Sequence, residues 1–326
     1  MATQSPPQIV IALDLGATKL AGALISEHGR LWSRITGRVA GRRGAAVGTL
    51  VQHMVRRLCQ RARRAGHAVK ALGVCVPGIA DAQSGRVWAP NIAGWDDFPL
   101  RETIRAALPA AELPVVVDSD RAACILGESW RGAARGCRHA IFLAVGTGIG
   151  AGILVDGRVL RGAHDVAGAI GWMALSQPFR PAYRECGDFE FHASGTGLAR
   201  AAREEVARRP DYRGALRRRG ALSAREVFAA YAAGDPVASR VIAQAIRYWG
   251  AACANLVSLF NPEKIIFGGG VFGPATRLLP AIRAEARKWA QPVAMRRVRL
   301  VASQLGSDAA LYGAGYLALR EVVARR

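Results

Sequence analysis

Two stretches of the chain, residues 8–36 and 139–160, repeat one pattern: an apolar strand, a turn of small residues holding a threonine, then two more strands. In the first, Gln8 to Leu13 reads as a strand and Asp14-Leu-Gly-Ala-Thr-Lys19 as a tight turn. Leu20 to Ile25 and Leu31 to Thr36 read as the strands that follow. In the second, His139 to Val145 leads into Gly146-Thr-Gly-Ile-Gly-Ala-Gly152, with strands at Ile153 to Val155 and Arg158 to Leu160. Such an echo favours a duplicated lobe over one continuous doubly wound sheet. Between and after the two units, helical spacing covers 44–65, 120–130, 196–208, 223–232, 236–260, 274–289 and 308–323. Short strands fall at 71–76, 115–117, 264–267 and 299–301. The alternation predicts an α/β fold of two similar lobes, and an interlobe cleft is the usual place for a ligand.

A chain of 326 residues with 51% hydrophobic and 21% charged residues is long and apolar enough to bury a large core without disulfides or metal. Its six cysteines form no CxxC pair, so neither a zinc ribbon nor a disulfide framework is expected. The first residues show no charged and apolar leader pattern, and the apolar run from Ala140 to Val155 is broken by four glycines and a threonine. A cytoplasmic protein is expected, with no membrane partner.

The formal net charge is +21, and 41 of the 45 basic residues are arginine. Clusters such as Arg61-Ala-Arg63-Arg64 and Arg217-Arg218-Arg219 lack the interleaved aromatics of a nucleic-acid platform. They read as solvated helix faces, and nucleic acid is not the expected partner. The field still favours anionic ligands.

Three glycine turns follow strands. In Asp14-x-Gly16-x-Thr18-Lys19, the glycine lets backbone N–H groups approach phosphate oxygens, the hydroxyl and ammonium contact them, and the carboxylate suits Mg²⁺. Gly146-Thr147-Gly148 repeats the arrangement without the charges. Gly268-Gly269-Gly270 offers bare backbone to a nucleotide. Each turn alone is weak evidence; three in a duplicated frame are specific, and they match neither a Rossmann nor a Walker pattern. Asp120 opens a helix, and by itself reads equally as an N-cap or as a base. Asn91 reads as a turn residue after Pro90, and Glu190 as a solvated carboxylate.

Together these segments resemble the ROK family (repressors, open reading frames and sugar kinases), within the actin-like ATPase and hexokinase fold of two ribonuclease H-like lobes. The resemblance runs from about residue 8 to residue 322. It rests on Asp14 to Lys19, Val76-Pro-Gly-Ile-Ala-Asp81, Pro90-Asn-Ile-Ala-Gly-Trp95, Ser119-Asp-Arg-Ala-Ala-Cys-Ile-Leu-Gly-Glu128, Gly146 to Gly152, Arg161-Gly-Ala163 and Leu305 to Ala314. It implies a smaller lobe of residues 1–118 plus 307–326, a larger lobe of residues 119–306, and closure on the substrate. It implies ATP and Mg²⁺, the metal held by Asp14 through water. Gly16, Thr18, Lys19, Gly146, Thr147 and Gly148 would meet phosphates, and Gly269 and Gly270 the adenosine. Asp120 would be the general base, with Gly78, Asn91, Ser119, Trp172 and Glu190 at the sugar. The family is often dimeric, although no pattern here marks an interface. With the first strand near residue 8, the repressor branch is not expected.

Two departures stand out. The family's Gly-Glu-Ile/Leu-Gly-His sugar loop is Gly168-Ala169-Ile170-Gly171-Trp172 here, so a carboxylate and an imidazole become a methyl group and an indole. The family's zinc cysteines align with Tyr183, Glu185 and Asp188, and no structural zinc is expected. Trp172 is expected to stack on a sugar or cyclitol face, and His192, Asp165 or Asp188 to supply missing polar contacts. The leading expectation is ATP-dependent phosphorylation of a hexose or hexose-like polyol, as in a glucokinase. The alternatives are a non-catalytic sugar-responsive binding protein and a kinase that takes polyphosphate as donor.

Overall fold

The computed structural model describes residues 7–109, 112–217 and 222–325. The leader reading of residues 1–6 and the cluster members Arg218 and Arg219 lie outside the described residues. The chain divides into two compact units. The first comprises residues 1–135, 161–166 and 308–326, the second residues 136–160 and 167–307.

In the first unit, β1 (Ile9–Leu15), β2 (Lys19–Ser26) and β3 (Leu31–Arg38) form an antiparallel meander. Helix α1 (Ala45–Arg64) leads to β4 (Val69–Val76), parallel to β1. A small hairpin, β5 (Ile79–Ala80) and β6 (Val87–Trp88), and helix α2 (Leu100–Arg105) precede β7 (Val115–Ser119) and helix α3 (Asp120–Arg131). The sheet order is β3-β2-β1-β4-β7.

Strand alternation decides what each face of this sheet packs against. Ile9, Ile11, Leu13 and Leu15 join Val47, Val51, Met54, Val55 and Leu58 of α1 in one core cluster. Val10, Ala12, Ala23, Ala71 and Cys75 face the other way, a row of smaller residues in the cluster that takes in α3 and the C-terminal helix.

The second unit repeats the topology. Strands β8 (Ala140–Val145), β9 (Ile149–Val155) and β10 (Arg158–Val159) form the meander. Helices α4 (Asp188–Ala193), α5 (Gly195–Ala207), α6 (Ala224–Ala232) and α7 (Pro236–Phe260) lead to β11 (Lys264–Gly268). Helices α8 (Leu279–Ala286) and α9 (Pro292–Arg297) precede β12 (Arg299–Ala302). The order β10-β9-β8-β11-β12 reproduces the first sheet strand for strand, with β11 parallel to both β8 and β12. The C-terminal helix α10 (Ala309–Ala324) returns to the first unit and packs on α3, β1 and β4. The duplicated α/β architecture read from the sequence is therefore present in both sheets.

Several boundaries differ from expectation. Asp14 is the penultimate residue of β1 rather than part of the turn, paired with Ala21. Strand β9 starts at Ile149, because Gly150 and Gly152 pair with Ala144 and Phe142 within the ladder, so the second turn shrinks to 146–148. The helix expected over 274–289 begins as a 3-10 turn from Pro274 to Leu278. The expected lobe boundary at 118/119 also falls elsewhere: α3 packs on α10, which holds it in the first unit. Among the described residues, no helix is long and apolar enough to cross a membrane.

Candidate functional site

In the first unit, β1, β4 and β7 are parallel and end at the same edge. Their register puts Asp14, Cys75 and Asp118 in one row, on the face that packs against α3 and α10. The Cys75 thiol lies 3.5 Å from Asp14 Oδ1. Burial pushes the Asp14 carboxyl above its ordinary pKa, against the pull of the Cys75 hydrogen bond and the Lys19 charge. The turn after β1 is closed by the Gly16 N–H donating to the Lys19 carbonyl at 2.8 Å, and the Thr18 carbonyl accepts from Val39 N–H at 2.9 Å. The side chains of Thr18 and Lys19 remain exposed.

Helix α3 starts immediately after β7. Its N-cap is Ser119, whose hydroxyl accepts from Ala122 N–H at 3.2 Å. The cap reading of Asp120 is thereby excluded: the neighbour caps the helix, and Asp120 is its first residue. Burial, reinforced by the Asp14 charge and opposed by Arg121, pushes the Asp120 carboxyl up to about 6. A carboxyl raised in this way, within reach of a second carboxylate's charge, has the chemistry to take up and release a proton.

Gly78 is held near this helix, its carbonyl accepting from Arg121 Nη2 at 3.4 Å. Its φ of 143° sets it where a Cβ would stand 2.2 Å from the Trp88 carbonyl oxygen. Asn91 is exposed in the turn between Ala89 and Trp95, and its side chain makes no hydrogen bond among the described residues. That turn is pinned by Trp95, fully buried, stacked on Phe98 at 4.1 Å and donating from Nε1 to the Gly44 carbonyl at 3.0 Å.

In the second unit the glycine turns converge. Gly146 N–H donates to the Gly148 carbonyl at 2.9 Å. Gly195 N–H, at the start of α5, donates to the Gly146 carbonyl at 2.8 Å. Thr196 Oγ1 donates to the Thr147 carbonyl at 3.0 Å. Gly269, at a φ of 87°, lies so close to β8 that a Cβ would stand 2.4 Å from the Val145 carbonyl oxygen. Glu190 comes to the same place: its Oε2 accepts from Ile149 N–H at 2.6 Å, and burial raises its pKa. A Cβ on Gly148 or Gly171 would meet that carboxylate at 2.6 or 3.0 Å. Glu190 thus joins the second turn to the loop carrying Trp172, which is 57% exposed. Gly270 borders a cavity of about 470 Å³ lined by Arg225, Phe228, Ala229, Pro274 and Arg277.

Two side chains expected to stand in for the altered sugar loop are otherwise engaged. Asp188 accepts from Leu175 N–H, Ser176 N–H and Ser176 Oγ at 2.6–2.7 Å. His192 Nε2 lies 2.8 Å from the Tyr183 hydroxyl, its ring stacks on Tyr248, and burial lowers its pKa. No group of three or more His, Cys, Asp or Glu side chains suited to a metal occurs among the described residues.

Sequence reasoning gave no site role to Cys75, Asp118 or Arg161, nor to the arginines of the cavity. Asp118 was the detectable one. It is a carboxylate in an otherwise apolar strand, 2% exposed, and it is held by a two-pronged pair with Arg161 at 2.7 and 2.6 Å.

The model of the ROK family matches residues 10–321. The chain belongs to the ROK family. This ROK chain is 32% identical to a glucokinase of Halalkalibacterium halodurans over 315 residues, 94% of each chain. Among solved structures, it resembles a ROK glucokinase of Streptomyces griseus in complex with glucose and AMPPNP (29% identity, TM-score 0.77, 96% of this chain and 99% of the other). It also resembles a ROK family transcriptional regulator homologous to the E. coli MLC protein (28% identity, TM-score 0.84, 98% of this chain and 81% of the other). These likenesses identify the duplicated sheets as the actin-like ATPase fold.

Proposed function

We propose that this ROK protein is an ATP-dependent sugar kinase that phosphorylates a hydroxyl of a hexose or hexose-like polyol. The observation that carries the reading is the pair of carboxylates in the first unit. Asp120 is half-buried, with its pKa near 6, and feels the charge of Asp14. Glucokinases and the AMPPNP-bound relative support the reaction class and the donor.

In the proposed reaction, Asp120 accepts the proton of the attacking sugar hydroxyl as that oxygen bonds to the γ-phosphorus and the bond from the γ-phosphorus to the β,γ-bridging oxygen breaks, with ADP as the leaving group. The Gly16–Lys19 turn supplies N–H, hydroxyl and ammonium donors to phosphate oxygens. Gly146, Thr147 and Gly148 offer small-residue backbone suited to phosphate oxygens. Gly269 and Gly270 lie by the adenosine, and the 470 Å³ cavity beside Gly270 offers the base an apolar floor with arginines to stack on. Gly78, Asn91, Ser119, Trp172 and Glu190 are assigned to the sugar.

Asp14 fits Mg²⁺ by the chemistry of its donor. Magnesium takes hard oxygens, keeps several waters, and commonly binds one or two carboxylates beside phosphates. When bound, it offsets the negative charge of the phosphate oxygens.

A second reading has its own support. Ala169 and Trp172 depart from the family's sugar loop, and the ROK regulator is structurally similar over 98% of the chain. A sugar-responsive binding protein would bind without turnover. ADP release with Mg·ATP across hexoses, amino sugars, N-acetyl sugars and cyclitols separates the two. Turnover on one class, lost in Asp120→Asn, supports the kinase; binding without turnover supports the alternative.

A further inference from the structure

Residues 167–187 of the second unit, which lead into α4, hold no regular structure beyond two short 3-10 turns, Ile170–Trp172 and Pro181–Arg184. Backbone N–H groups in such a stretch must take their partners from elsewhere. Where the stretch carries Trp172, the partner is α4. Gly187, the N-cap of that helix, has a φ of 84° and lies so close that a Cβ would stand 2.4 Å from both the Gly171 carbonyl oxygen and Trp172 Cα. Phe189 N–H donates to the Met173 carbonyl at 3.2 Å. Asp188 Oδ2 accepts from Leu175 N–H at 2.6 Å and from Ser176 N–H at 2.7 Å, while its Oδ1 accepts from Ser176 Oγ at 2.7 Å.

Asp188 is 4% exposed. A carboxylate so far out of water is costly unless donors surround it, and the three donors that bind this one sit 12 or 13 residues earlier in the chain. The carboxylate and the loop conformation therefore require one another. His192 Nε2, 3.5 Å from Asp188 Oδ1 and 2.8 Å from the Tyr183 hydroxyl, closes the cluster one helical turn on. Phe189 and Ala193, both fully buried, fix α4 in the core of the unit. Glu190 does not face Asp188, since residues two apart on a helix point different ways. It reaches Ile149 N–H instead, beside the Gly146–Gly148 turn. One six-residue helix thus holds the Trp172 loop through Asp188 and meets the second glycine turn through Glu190.

We infer that Asp188 is a positioning residue for the sugar: it anchors loop 171–176 to α4 and so sets Trp172 relative to Glu190, without itself touching the ligand. The inference rests on the sugar-kinase reading, in which Trp172 and Glu190 meet the sugar.

The test compares the full chain with Asp188→Ala, Asp188→Asn and Ser176→Ala. It measures phosphorylation kinetics, sugar binding by calorimetry, thermal melting and hydrogen exchange. Asp188→Ala is expected to raise the sugar KM about 10- to 100-fold, the loss of hydrogen bonds to a charged acceptor, and to leave the KM for ATP within about twofold. Asparagine keeps an oxygen for the two N–H donors, so Asp188→Asn should restore the sugar KM to within about threefold of wild type. Amides of 171–176 should exchange faster in Asp188→Ala, with β8 and β9 unchanged. An unchanged sugar KM in Asp188→Ala overturns the inference. So does a rise in both KM values that tracks a lowered melting temperature, or an asparagine variant as poor as alanine. If Asp188→Ala does not fold, Ser176→Ala decides: a raised sugar KM with unchanged ATP KM and melting supports the role, and an unchanged sugar KM overturns it. A wild type that binds sugar without turnover overturns the kinase reading alone, and the sugar Kd then replaces KM in each comparison. A wild type with neither binding nor turnover overturns both.

Discussion

Asp120 makes two predictions of opposite sign. As a base it must be ionised, so kcat/KM should fall about tenfold per pH unit below about 6, while Asp120→Asn should lose about 10²- to 10⁴-fold in kcat at pH 7.5. As a half-buried carboxylate raised by desolvation, it has a folded pKa of about 6, above the ordinary 3.8. The folded state therefore holds the proton more tightly than the unfolded state. Its stabilising contribution is complete below about pH 4 and is lost as pH rises through 6. Asp120→Asn should accordingly be more stable than wild type at pH 7.5, by up to about 3 kcal/mol, and the gain should vanish near pH 4. Urea titrations of nucleotide-free protein at the two pH values check this; equal stability at both would mean the carboxyl is not perturbed. A second residue-scale prediction concerns the Arg161–Asp118 pair. Arg161→Lys removes the fork geometry and leaves buried Asp118 half-satisfied, an expected cost of about 1–3 kcal/mol in the same titrations.

At the scale of elements, the position of α3 depends on backbone-to-backbone approach. A Cβ on Gly313 of α10 would stand 1.8 Å from the Ala123 carbonyl oxygen, one on Gly127 of α3 2.2 Å from that of Ala309, and one on Gly73 of β4 1.9 Å from that of Ala314. No flexible side chain can yield at these contacts. Gly313→Ala should therefore destabilise by about 2–4 kcal/mol and also lower kcat, since α3 carries Asp120. Gly136→Ala is the control: its φ is 76° with nothing within 4 Å, so only the backbone conformation is penalised, at about 1 kcal/mol, with kcat unchanged. If Gly313→Ala lowers stability but not kcat, the helix pair is scaffold alone. The same elements show what was legible in the sequence. The duplicated meander was, because alternation and small-residue turns are local signals. The glycine turns were for the same reason. The row Asp14–Cys75–Asp118 was not, since register between three strands separated by some 60 and 40 residues leaves no mark in any one of them. Nor was the meeting of Glu190 with Gly148: the hydrogen bond to Ile149 spans 41 residues. Short helices α2, α4 and α9 escaped notice because six residues carry little periodicity.

For the whole molecule, the governing quantity is a charge of +21 distributed unevenly. Residues 28–80 hold eleven Lys and Arg and no Asp or Glu. Arg34 is paired with Asp308, but Arg56, Arg57, Arg63 and Arg64 on the exposed side of α1 have no acidic partner among the described residues. A field of this sign concentrates anions around the protein and leaves neutral sugars untouched. Raising KCl from about 0.05 to 0.5 M shortens the screening length from roughly 14 to 4 Å. The KM for Mg·ATP should then rise severalfold while kcat and the KM for an uncharged sugar stay constant. Polyphosphate, carrying more charge per molecule, should respond more steeply, and it should outperform ATP at low salt only if it is a true donor. Replacing Arg56, Arg57, Arg63 and Arg64 with glutamine should flatten the salt dependence without touching the sugar KM. A salt effect of equal size on both substrates would instead trace it to the stability or conformation of the enzyme, and the arginine surplus would then be a solvated surface with no part in drawing in the donor.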